Sequence, residues 1–93
     1  MTRAMYRYEV GLDGPVEIGL CLNSDPVAFG ALGDSAGIEF WAEHDDDEYE
    51  SPRDFVVVGT GHHIPDGAVY VGTAPRTRDG IVWHLFQLMG APE

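Results

Sequence analysis

Apolar residues recur at every second position through most of this chain, and clusters of Gly, Pro, Asn and Asp interrupt the pattern about every 8–12 residues. That combination admits extended strands joined by tight turns and little else. Ala4, Tyr6, Tyr8 and Val10 fall on one face of a first strand, with Arg7 and Glu9 on the other. Leu12-Asp13-Gly14-Pro15 supplies a turn. Val16, Ile18, Leu20 and Leu22 then alternate with Glu17, Gly19 and Cys21 in a second strand. Residues 27–32 form a third, and Gly33-Asp34-Ser35-Ala36-Gly37 closes a hairpin into a fourth over residues 38–43. There Trp41 shares a face with Glu39 and Glu43, so it is expected either in solvent or under a loop or partner. Phe55-Val56-Val57-Val58 is the most β-branched stretch and predicts a central fifth strand. Residues 68–73 give a sixth and residues 81–88 a seventh, with Trp83 and Leu85 opposite Val82, His84 and Phe86. No window carries a helical period. The expected fold is all-β: one domain over residues 1–93, a small antiparallel sandwich or barrel of about six to seven strands.

Charge narrows the partners. Sixteen Asp and Glu stand against five arginines and no lysine, a formal net charge of −11. With no basic stripe to release counterions, direct binding to nucleic acid or to an anionic membrane surface is not expected. No apolar run approaches the roughly 18 residues that span a bilayer, and no apolar stretch follows Arg3 and Arg7 as a secretory signal requires. A cytoplasmic protein is the expectation. The run 45–52, Asp-Asp-Asp-Glu-Tyr-Glu-Ser-Pro, is read as a solvated loop, with residues 45–48 mobile and dispensable for folding; like charges repel there, and Pro52 disfavours a central ladder. Cys21 has apolar neighbours and no base beside it in sequence, so it is expected to be a buried, inert thiol.

Chemistry concentrates in Gly59-Thr60-Gly61-His62-His63-Ile64-Pro65-Asp66-Gly67 and in the last strand. The glycines admit positive φ or close backbone approach, so a ligand can reach main-chain N–H groups. The imidazoles of His62 and His63 donate hydrogen bonds near neutral pH. Two readings stand side by side: a hairpin loop whose glycines satisfy turn geometry, or a pocket for an anion such as phosphate. Arg53, Arg76 and Arg78 are scarce cations read either as salt-bridge partners of the acidic surface, the reading favoured by so many carboxylates, or as a phosphate clamp if they converge. Trp41, Tyr70, Trp83 and Phe86 supply aromatic area, either as a stacking platform or as ordinary core. The histidines lack the spacing of a metal site and the acidic run lacks that of a calcium loop, so no metal or other cofactor is expected. No nucleophile elbow is present; were the chain an enzyme, His63 or His84 is the acid/base candidate.

Tyr6-Arg7-Tyr8-Glu9-Val10, Pro15-Val16-Glu17-Ile18, Gly59-Thr60-Gly61-His62, Tyr70-Val71-Gly72-Thr73 and Val82-Trp83-His84-Leu85-Phe86 together resemble, in order and over nearly the whole chain, a family of small uncharacterised proteins of bacteriophages and prophages. The chain departs from that pattern at His63, where the family has Pro, in the acidic stretch 45–50, and at Gln87. The resemblance implies phage origin and a compact β domain, and carries no activity. With the site chemistry it leads to one expectation: a phage accessory protein, anti-defence in role, that binds a phosphate-bearing small molecule of nucleotide type without catalysis. Its binding residues would be Thr60, Gly61, His62, His63, Arg76, Arg78, Trp83 and His84. The alternative is an acidic protein-interaction module, acting on a host protein as inhibitor or DNA mimic, or serving in the virion. A thin core and open strand edges also lead to the expectation of a homo-oligomer.

Overall fold

The computed structural model describes residues 2–33 and 36–89. Seven strands follow in order: β1 (Arg3–Gly11), β2 (Val16–Cys21), β3 (Ala28–Ala31), β4 (Gly37–Asp45), β5 (Glu50–Gly59), β6 (Ala68–Thr73) and β7 (Trp83–Leu88). They pair antiparallel in two sheets, one ordered β1-β4-β3 and the other β2-β5-β7-β6. Of the two expected architectures this is the sandwich, because each sheet keeps two edges. The first sheet closes over β4, whose register runs from Arg3 opposite Asp45 to Gly11 opposite Gly37. The centre of the expected hairpin before β4, Asp34 and Ser35, lies outside the described residues.

Alternation decides what is buried. Val10, Ile38, Phe40 and Ala42 turn inward from the first sheet, and Leu20, Phe55, Trp83 and Leu85 from the second. Fully burying each large apolar side chain stabilises the fold by about 1.5–3 kcal/mol. The Phe40 and Phe55 rings meet across the layers at 5.2 Å, and Tyr8 stacks on Phe40 at the same distance. Burial, with the charge of Glu50 as a lesser cause, pushes the Tyr8 phenol above its ordinary value. Gly72 of β6 lies beneath the Phe29 ring of β3, so the two sheets touch along that side as well.

Several expectations meet a different structure. Strand β5 begins at Glu50 and β4 runs to Asp45, so the acidic loop shrinks to residues 46–49. Asp45 is buried, and its Oδ1 accepts the Asp47 N–H at 2.9 Å. Residues 45–48 are therefore tied down at their start. Pro52 sits in β5 opposite Gly19 of β2, while β7 pairs only with residues 54–59. Proline is tolerated because β5 has a strand neighbour on one side alone at that level. Trp41 is half-buried, with Arg7 and Ala28 as its cross-strand neighbours. On that outer face Arg7 bonds Glu9 at 2.6 Å and Glu39 at 2.9 Å, and Arg3 pairs with Glu43. The Arg3 guanidinium lowers the Glu43 carboxyl below its usual range.

Cys21 is buried as expected, yet it does have a base beside it: its Sγ lies 3.7 Å from His44 Nδ1. The Asp45 N–H donates to the same sulfur at 3.4 Å. Strands β2 and β4 lie in different sheets, so sequence proximity could not show this contact. Arg53 takes the ion-pair alternative rather than the clamp. Its guanidinium donates to the carbonyls of Cys21, Leu22 and Ser24 and to Asp25, bracing the β2–β3 turn rather than the glycine loop.

Candidate functional site

Strand β5 ends at Gly59, directly opposite Trp83 of β7. A Cβ at Gly59 would stand 3.0 Å from both His62 Nδ1 and Trp83 Cζ3. The glycine is therefore the slot in which imidazole and indole edge come together. The chain reverses at once, His62 N–H donating to Gly59 O at 3.0 Å, with Gly61 at φ 89°. A side-chain residue rarely adopts that conformation. Thr60 N–H still bonds Val82 O at 3.2 Å, so the turn hangs from the end of the β5–β7 ladder.

A second turn faces it. Gly80 N–H donates to Thr77 O at 2.9 Å, and Thr77 N–H donates to Ile81 O at 3.2 Å. Arg76 Nη1 donates to Gly80 O at 3.2 Å, which holds its side chain against this turn. Between the two turns is a cleft of about 410 Å³ lined by Gly59, Thr60, His62, Arg76, Gly80, Ile81, Val82 and Trp83. That volume lies within the range of small-molecule sites, roughly 300–1,000 Å³. Trp83 is buried, and its indole N–H has no hydrogen-bond partner among the described residues. Arg3, Arg7 and Arg53 are each paired with a carboxylate. Arg76 is not; among the described residues its bond to Gly80 is to a neutral carbonyl.

Behind the Thr60–His62 turn is a smaller, mainly apolar hollow of about 240 Å³ that includes Val58, Gly61, Ile64, His84 and Phe86. His84 crosses this outer face as a strut. Its Nε2 lies 2.8 Å from Thr60 Oγ1 and its Nδ1 2.9 Å from Thr73 Oγ1, while Tyr70 OH lies 2.6 Å from Thr73 Oγ1. The hydroxyls can donate or accept, so the chain of bonds can be satisfied with either tautomer. Both ring nitrogens are occupied by hydroxyls, which makes His84 a brace for the Thr60 turn.

Thr60, His62, Arg76 and Trp83 thus meet in the larger cleft, and Gly61 and His84 line the smaller one. His63 and Arg78 are exposed and line neither. The aromatic set divides: Trp41 belongs to the other sheet, while Tyr70 and Phe86 meet edge to face at 5.7 Å on the outer side. Sequence reading missed Gly80, Ile81 and Val82 as cleft walls, although Asp79-Gly80 is a turn signal that could have marked them. Among the described residues no cluster of His, Cys, Asp and Glu is arranged to hold a metal ion, and no helix is long and apolar enough to cross a membrane.

Fold and site together define a small two-sheet β-sandwich with a cleft at one end of its larger sheet. The chain belongs to the family described as a domain of unknown function, DUF7352, whose model matches residues 1–93. Among curated proteins and among solved structures there is no match to the chain.

Proposed function

We propose that the protein captures a small phosphate-bearing molecule of nucleotide type in the cleft between the Gly59–His62 turn and the Arg76–Ile81 turn, and returns it unchanged. The carrying observation is Arg76: in a chain with 16 acidic residues it lines a cleft and makes no ion pair with a carboxylate among the described residues. A guanidinium so placed can receive a phosphate by charge-assisted bonds. His62 across the cleft, a hydrogen-bond donor near neutral pH, supports an acceptor-rich ligand. The resemblance to phage proteins adds the biological setting, in which such capture would withdraw a nucleotide messenger from host defence.

Calorimetry against AMP, ADP-ribose and cyclic dinucleotides, with chromatography of the released ligand, tests this. Arg76→Ala should weaken binding about 10–100-fold, equivalent to the roughly 1.5–3 kcal/mol of a charged hydrogen bond. Gly59→Ala should also weaken it, because the new methyl displaces the His62 and Trp83 rings. Release of a converted product would make the protein an enzyme. No binding by any of these ligands, with stoichiometric binding to a purified host factor, would favour the acidic interaction module.

A further inference from the structure

We infer that two copies of the chain associate side to side through β3 and β6, independently of what the cleft binds. Four strands are sheet edges: β1, β2, β3 and β6. Strand β1 carries Arg3, Arg7 and Glu9, and β2 carries Glu17; β3 and β6 carry no charged residue. Those two lie on the same side of the sandwich, joined by Phe29 over Gly72. In a molecule of net charge −11, this is the side along which a like-charged copy can approach. Two acids near this side are matched, Asp25 to Arg53 at 3.0 Å and Glu39 to Arg7 at 2.9 Å.

The same side is apolar and exposed. Val27 is 64% exposed, Val69 50% and Tyr70 57%. Beside them runs a groove of about 320 Å³ lined by Asp25, Pro26, Val69, Tyr70, Val71 and Gln87. A two-fold contact needs a surface that complements itself, each protrusion meeting the partner's recess. Val27 as protrusion and this groove as recess meet that need. Among the described residues, residues 68–70 of β6, which precede the bulge between Tyr70 and Gly72, have a strand neighbour on one side only. An antiparallel copy of the same segment can therefore pair with them, satisfying open backbone groups in both chains.

Analytical ultracentrifugation over roughly 1 to 200 µM, the range in which modest interfaces dissociate, tests the inference in about 0.05 and 0.5 M NaCl. A concentration-dependent dimer is expected, tighter at high salt by about tenfold or more because screening removes the like-charge repulsion. Val27→Glu and Val69→Glu should each give monomers with wild-type circular dichroism. Met5→Glu, at an exposed site on β1, the opposite edge strand of the first sheet from β3, should leave the dimer intact. If Val69→Glu fails to fold, Val27→Glu alone decides. A monomer at every concentration and salt level, or a dimer that survives the folded glutamate variants, overturns the inference.

Discussion

Replacing Gly72 by alanine asks how firmly the two sheets are joined along the β3–β6 side. A Cβ at this position would stand 2.7 Å from Phe29 Cδ2 and nearer still to Cε2 and Cζ. Carbon atoms in ordinary contact sit about 3.5–4.0 Å apart, so the ring must retreat by on the order of 1 Å or leave its place. Overpacking of this kind costs about 1–3 kcal/mol. For a domain of this size each kcal/mol moves the melting temperature by roughly 4–8 °C, which predicts a fall of about 5–20 °C by thermal circular dichroism. The cost should be specific to the ring. In a Phe29→Ala background the added methyl has room, so Gly72→Ala should then be nearly neutral, leaving a coupling above about 1 kcal/mol in a double-mutant cycle. A Gly72→Ala protein that melts like wild type would refute the reasoning. So would strictly additive costs, which would place the damage in the backbone rather than in the contact.

Other perturbations probe separate parts. Arg53→Ala removes donors from three carbonyls and Asp25 and should lower stability by about 1.5–3 kcal/mol; Arg53→Lys should restore less than half in chemical denaturation, since an ammonium cannot fork across them. Asp45→Ala should cost about 1 kcal/mol or more through the lost bond to Asp47 N–H, whereas Asp46→Ala, at an exposed site, should stay within about 0.5 kcal/mol; equal effects would count against the tied loop start. Tyr8 has a phenol raised in the folded state, chiefly by burial. Its contribution is complete below the ordinary phenol value of about 10 and is lost as pH rises through the folded-state value. Melting temperature should therefore fall less steeply between roughly pH 9.5 and 11.5 in Tyr8→Phe than in wild type, and matching slopes would remove Tyr8 as the cause.

Alternation alone located the strands, because inward Val10, Leu20, Phe40, Phe55 and Leu85 each sit at a period-two position. Which strands share a sheet was not legible. Pairings such as β1 with β4 and β2 with β5 join segments about 35 residues apart, and period two says nothing about the neighbour. The ends of β4 and β5 were missed for a related reason: density of charge suggested solvent, while the ladder and the buried Asp45 extend order into the run. At the cleft, residue types and glycines drew attention to Thr60, His62 and Trp83. Their convergence depends on Gly59 lacking a side chain opposite Trp83, a register fact. The roles of Arg53 and His44 were hidden because their contacts cross between sheets or around turns.

The division of strands between the layers has a consequence during synthesis. The first sheet uses β1, β3 and β4 and is fully specified once Asp45 has been made. Its inward residues Val10, Ile38, Phe40 and Ala42 then have no opposing layer, because Phe55, Trp83 and Leu85 come later and Leu20 of β2 waits for β5. At about 5–20 residues per second, a nascent chain carries a sticky apolar plate for several seconds before β7 emerges. The acids that crowd residues 43–50 leave the ribosome just behind that plate, where their repulsion keeps neighbouring nascent chains apart until the second layer arrives.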